Sequence, residues 1–161
     1  MKTYEEVIEY IKEHGCLPED FTQWELANSS GWTVAHVAAS RGDLPEDFTQ
    51  WELDDNEDWT VAHVAASRGD LPEDFTQWEL TSKNGWTVAH CAAVAHTAAT
   101  QKLLPKDFSK WYLKDGQNKT VFETMLFNGG CPDWFKDWDL VVTDDGETCQ
   151  EIYERIKNEN L

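Results

Sequence analysis

The chain has 161 residues, with 31 Asp and Glu against 13 Lys and Arg and a net charge of −18. That length suits one domain, and nine Trp, seven Phe and four Tyr supply core-forming area that an acidic disordered tail lacks. Direct binding of nucleic acid or of an anionic membrane surface is excluded, because both require clustered Lys and Arg.

The first residues, Met1 to Glu6, lack the basic region and apolar stretch of a signal peptide. No apolar run approaches the roughly 20 residues of a membrane span, so a cytoplasmic location is expected. Thr3 and Glu6 have capping-box spacing and open an amphipathic helix carrying Val7, Ile8, Tyr10 and Ile11, which Gly15 ends.

Leu17 to Leu26 then reads Leu-Pro-Glu-Asp-Phe-Thr-Gln-Trp-Glu-Leu, and the same decapeptide returns at Leu44 and at Leu71, a period of 27 residues. Worn copies run from Leu104 to Leu113 and from Cys131 to Leu140, giving about five units. In the decapeptide, Pro45 opens a short helical turn, Glu46 and Asp47 favour its N-terminus, and Phe48, Trp51 and Leu53 are apolar anchors.

Between decapeptides runs a second element, Gly-Trp-Thr-Val-Ala-His-Val-Ala-Ala-Ser-Arg-Gly from Gly31 to Gly42, matched from Asp58 to Gly69, again from Gly85, and in worn form from Thr120 to Gly129. Thr33 is placed to cap a helix, Val34, Val37 and Ala38 share a face, and Gly42 offers the left-handed stop. Such units cannot bury their own apolar faces, so they stack on one another.

Ahead of the third decapeptide the loop Asp54-Asp55-Asn56-Glu57-Asp58 concentrates charge. After the third helix the period breaks: Val88 to Ala93 is duplicated at once as Val94 to Ala99, which lengthens the spacing to 33 residues. If helical, six residues add about 9 Å and rotate the later units by about 240°, so a kink or bulge is expected there, as a protruding helix or a looped-out insert. A last amphipathic helix begins at Thr148, with Ile152, Tyr153 and Ile156 inward and Glu151, Glu154, Arg155 and Lys157 outward.

The pattern Gly-x-Thr-Val-Ala-His-x-Ala-Ala-x-x-Gly-x-Leu resembles the first half of the ankyrin repeat, with Thr-Val-Ala-His in place of Thr-Pro-Leu-His. The unit is shorter, and the decapeptide stands where ankyrin repeats carry a full second helix. The resemblance implies an all-α, ankyrin-like helical solenoid over residues 1–161, with capping helices at both ends and a shortened second helix. It also implies use in protein recognition rather than chemistry, and a structural hydrogen-bonding role for His36, His63 and His90.

Charge is polarised along the chain: residues 1–80 hold 19 acids and four bases, residues 81–130 three and six, and residues 131–161 nine and three. Carboxylates at fixed spacing on a rigid surface steer basic ligands. The candidate partner-binding residues are therefore Glu46, Asp47, Glu52, Asp54, Asp55, Glu57, Asp58, Glu73, Asp74 and Glu79. Trp32, Trp59 and Trp86, which precede the helices, are candidate aromatic anchors, and His96 in the duplicated stretch marks a second surface.

Catalysis and cofactors are not expected. A repeated motif gives like carboxylates like surroundings, whereas an acid and base pair needs different ones. The 54–58 run has oxygen ligands without the spacing of a calcium loop. Four scattered cysteines suggest neither zinc nor disulfides. The expected partner is a protein with a basic surface, bound by a monomer or weak homo-oligomer. An alternative is an acidic inhibitor that imitates nucleic acid and blocks a basic groove, as small phage and mobile-element proteins do.

Overall fold

A computed structural model describes residues 3–95 and 104–159. His96, Lys102 and most of the duplicated stretch lie outside the described residues. Six helices succeed one another: α1 (Tyr4–His14), α2 (Val34–Arg41), α3 (Val61–Arg68), α4 (Val88–Ala95), α5 (Val121–Asn128) and α6 (Cys149–Glu159). The described residues contain no strand, only single antiparallel bridges such as Ala27 with Thr33 and Asp54 with Thr60. Among the described residues, each helix packs against its neighbours in chain order and on no other helix.

Helix ends obey the sequence. Thr3, Thr33, Thr60 and Thr120 cap α1, α2, α3 and α5 from extended backbone, and Gly15, Gly42 and Gly69 close α1, α2 and α3 in the left-handed conformation. The side chains of Ala35, Ala38, Ala39, Ala62, Ala65 and Ala66 are buried, and such small residues let successive helices approach closely.

The expected second helix is absent. Each decapeptide instead makes two successive turns, such as Phe48 N–H to Pro45 O at 3.0 Å and Leu53 N–H to Gln50 O at 3.3 Å. Its C-terminal carbonyls serve the next helix. Trp51 O and Leu53 O accept from Ala62 and Val61, the first amides of α3, at 3.1 and 2.9 Å. Equivalent pairs join Trp24 and Leu26 to α2, Trp78 and Leu80 to α4, Trp111 and Leu113 to α5, and Trp138 and Leu140 to α6. A helix start leaves four amides without internal partners; the decapeptide supplies two of those partners.

The core lies between the helices and the decapeptides. Its spine is a run of edge-to-face rings, Phe21, Trp24, Phe48, Trp51, Phe75, Trp78, Phe108, Trp111, Phe135, Trp138 and Tyr153, with successive centroids 4.8 to 5.8 Å apart. Edge-to-face contact is the favoured aromatic geometry. The step from Trp78 to Phe108, across the duplication, is 5.5 Å, between the 5.4 Å of Trp24 to Phe48 and the 5.8 Å of Trp51 to Phe75. The ring contact between the flanking units therefore keeps the spacing found elsewhere, while most of the stretch where the kink or bulge was expected lies outside the described residues. His90 bridges the same step with its Nε2 on Lys119 O at 3.0 Å.

Candidate functional site

The candidate acids fall into two sets. The first belongs to the decapeptide turns: Glu46, Asp47, Glu73 and Asp74 are exposed and, among the described residues, form no hydrogen bond or ion pair. Glu19 and Asp20, outside the sequence-based candidates, occupy the same place in the first unit; the repeat of the decapeptide is the signal that marks them. The same short turn, Phe N–H to Pro O at 3.0 to 3.1 Å, presents all three pairs.

Shallow grooves run between consecutive turns. One of about 600 Å³ lies between the first and second decapeptides, one of about 380 Å³ between the second and third, and one of about 400 Å³ between the third and fourth. Neighbouring grooves share walls, at Asp47, Phe48 and Thr49 and at Asp74, Phe75 and Thr76, so they form one acid-lined run across four units.

Two other candidates of this region are used internally. Glu52 accepts from Gln77 of the next unit at 2.5 Å, and Glu79 pairs with Lys110 at 2.9 Å. They join units rather than wait for a partner.

The second set sits at the loop tips. Asp55 is structural: one carboxylate oxygen accepts from the amides of Glu57 and Trp59, both at 2.9 Å. Asn28 and Asp115 do the same in their own units. Asp54, Glu57 and Asp58 are exposed. Asp58 holds a left-handed backbone, φ 56°, where Gly31 and Gly85 stand in the flanking units. The tips lie tightly against each other: Asn56 N–H donates to Ser30 O and Lys83 N–H to Glu57 O, each at 3.0 Å, and a Cβ on Gly31 would meet Asn56 N at 2.7 Å. Lys83 also donates through Nζ to Asn56 O, which offsets negative charge at this end.

Trp32, Trp59 and Trp86 are half-buried and lie over His36, His63 and His90, with centroids 4.6, 4.7 and 5.2 Å apart. Each histidine is fully buried. Thr33 N–H donates to His36 Nδ1 at 3.1 Å, so Nδ1 is the acceptor and Nε2–H donates to Trp59 O at 2.8 Å. His63 repeats the pattern from Thr60 to Trp86 O. These imidazoles are neutral links between units, and burial pushes their affinity for protons below the ordinary value.

Among the described residues, no group of three or more His, Cys, Asp and Glu side chains is placed to hold a metal ion. Burial pushes the thiols of Cys91, Cys131 and Cys149 up to about 12, far from the thiolate form that reacts. No helix among the described residues is long and apolar enough to cross a membrane. No protein-family model matches the chain, and no curated protein matches it.

Proposed function

We propose that the chain is a non-catalytic protein-binding module, an ankyrin-like helical solenoid that engages a basic partner through its decapeptide turns. The observation that carries this reading is the threefold recurrence of an exposed, unpaired carboxylate pair, Glu19 with Asp20, Glu46 with Asp47 and Glu73 with Asp74, on identical turns beside a continuous groove. The ring spine holds the turns that carry these charges, and a field of one sign raises encounter rates with basic surfaces.

The regular acidic row also supports a second reading, in which the partner is a nucleic-acid-binding protein whose basic groove is blocked. The experiment is capture of a partner from cell lysate at low and high salt, with the bound protein then offered its nucleic acid in competition. The module reading predicts capture that weakens steeply with salt; capture indifferent to salt contradicts it. Displacement by nucleic acid selects the inhibitor reading, and co-binding removes it.

A further inference from the structure

A second cleft, about 340 Å³, opens between the second and third units beside the helix ends. Its lining is mixed, with an apolar part formed by Leu44, Leu71, Ala39, Ala65 and Trp51. Leu44, Leu71 and Trp51 are only partly covered by the core. Two carboxylates line it, and they differ: Asp70 is held by Arg68 at 2.8 Å, whereas Glu46 has no partner among the described residues.

Glu46, Trp51 and Pro72 line both this cleft and the neighbouring acidic groove, which adds Asp47 and Asp74. The two spaces therefore meet at Glu46. An apolar wall ending in an unpaired carboxylate matches one kind of side chain, a methylene stem with a cationic head, since Lys and Arg bury their stems along apolar surface and keep the charge at the rim.

We propose that this junction is the anchor for one Lys or Arg of an extended basic segment of a partner polypeptide, its stem between Leu44 and Leu71 and its head on Glu46, while the flanking basic residues run along the acidic grooves. The proposal rests on the acidic module reading and adds to it a site and a side-chain class. A polypeptide is favoured over a small cation because the acid-lined run extends across four units.

The test is titration of the protein with N-acetylated hexa-lysine amide, monitored by NMR at the Trp51 indole and the Ala39 and Ala65 methyls, with hexa-ornithine amide and spermine as controls. Ornithine keeps the charge and removes one methylene. The anchor predicts shifts at those three residues, affinity for hexa-lysine about fourfold above hexa-ornithine, the worth of one buried methylene, and about fivefold loss in Glu46→Gln. Glu57→Gln, equal in charge but at a loop tip, is predicted to be nearly neutral.

Equal affinities for the two peptides, with Glu46→Gln no worse than Glu57→Gln, overturn the anchor and leave the acidic module standing. Spermine binding as tightly as hexa-lysine overturns the polypeptide assignment. Absence of hexa-lysine binding at low salt overturns both readings, and binding that ignores salt but keeps the fourfold ratio overturns the electrostatic reading alone.

Discussion

The starts of α2, α3 and α4 and those of α5 and α6 close the same turn with different chemistry. In α2, α3 and α4 the third helical residue is His36, His63 or His90, which bonds back to the Thr cap and reaches forward to a carbonyl of the next unit. In α5 and α6 it is Glu123 or Glu151, whose carboxylate accepts from Thr120 or Thr148 but has no proton to pass on. The forward link is then an ion pair, Glu123 with Arg155 at 3.4 Å, reinforced by Arg155 with Glu147 at 3.3 Å. The helices change in step: small Ala residues line α2 to α4, whereas Phe122 and Met125 fill α5. One turn geometry is thus held by neutral bridges in one half and by charge in the other, and the halves should fail under different conditions.

The largest effect comes where the halves join. Trp111 is fully buried and touches Phe108, Phe122, Phe135 and Trp134. Trp111→Ala is expected to cost about 3–5 kcal/mol, read by urea denaturation. His63→Ala comes next at about 2–4 kcal/mol, from a cavity and the loss of the ring's hydrogen bonds to Thr60 and Trp86 O. Glu123→Gln, which keeps the acceptor and loses only a part-exposed ion pair, is expected below about 1 kcal/mol. Equal losses from the last two would erase the distinction between the halves.

Acid sharpens it. Burial lowers the folded pKa of the three histidines below their ordinary 6.5. Below that pH the unfolded chain takes up protons that the folded chain refuses, so stability falls as pH drops through about 6. Glu151 is shifted down by the Thr148 amide that it accepts. Its contribution is present above the ordinary Glu value and lost only as pH falls through that value and below. Hydrogen exchange should therefore show protection falling in α2 to α4 near pH 6 while α6 holds to about pH 4.5; loss in α6 first would reverse the comparison.

The smallest effects lie at the loop tips. Ser82 stands where Asn28, Asp55 and Asp115 cap their turns, and its buried hydroxyl has no partner among the described residues. Ser82→Asn should gain about 1 kcal/mol by restoring the cap. Asp58→Gly should gain up to about 1 kcal/mol by relieving the left-handed backbone. Thermal melts check both.

Much of this organisation was legible in the residues. The Thr caps, the Gly stops and the inward Ile152 and Ile156 stem from spacing and side-chain chemistry, and a structural role for His36, His63 and His90 was what the ankyrin resemblance implied. The docking of each decapeptide on the following helix start was not legible, because it pairs carbonyls with amides that lie about ten residues later in the chain. Nor could spacing separate Asp55, Glu52 and Glu79, which bond within or between units, from Glu46, Asp47, Glu73 and Asp74, which do not. That division requires knowing which neighbour each turn faces. The cleft at Leu44 and Leu71 was hidden for the same reason, since its walls come from two units.

The most direct test of the acidic decapeptide face compares two triple variants that each remove three negative charges. One carries Glu46→Gln, Asp47→Asn and Glu73→Gln; the other carries Asp54→Asn, Glu57→Gln and Asp58→Asn at the loop tip. Circular dichroism should show both folded, and affinity for the basic partner should fall at least tenfold in the first and less than twofold in the second. Equal losses would reduce the surface to net charge, and a larger loss in the second would place binding at the tips and contradict the account.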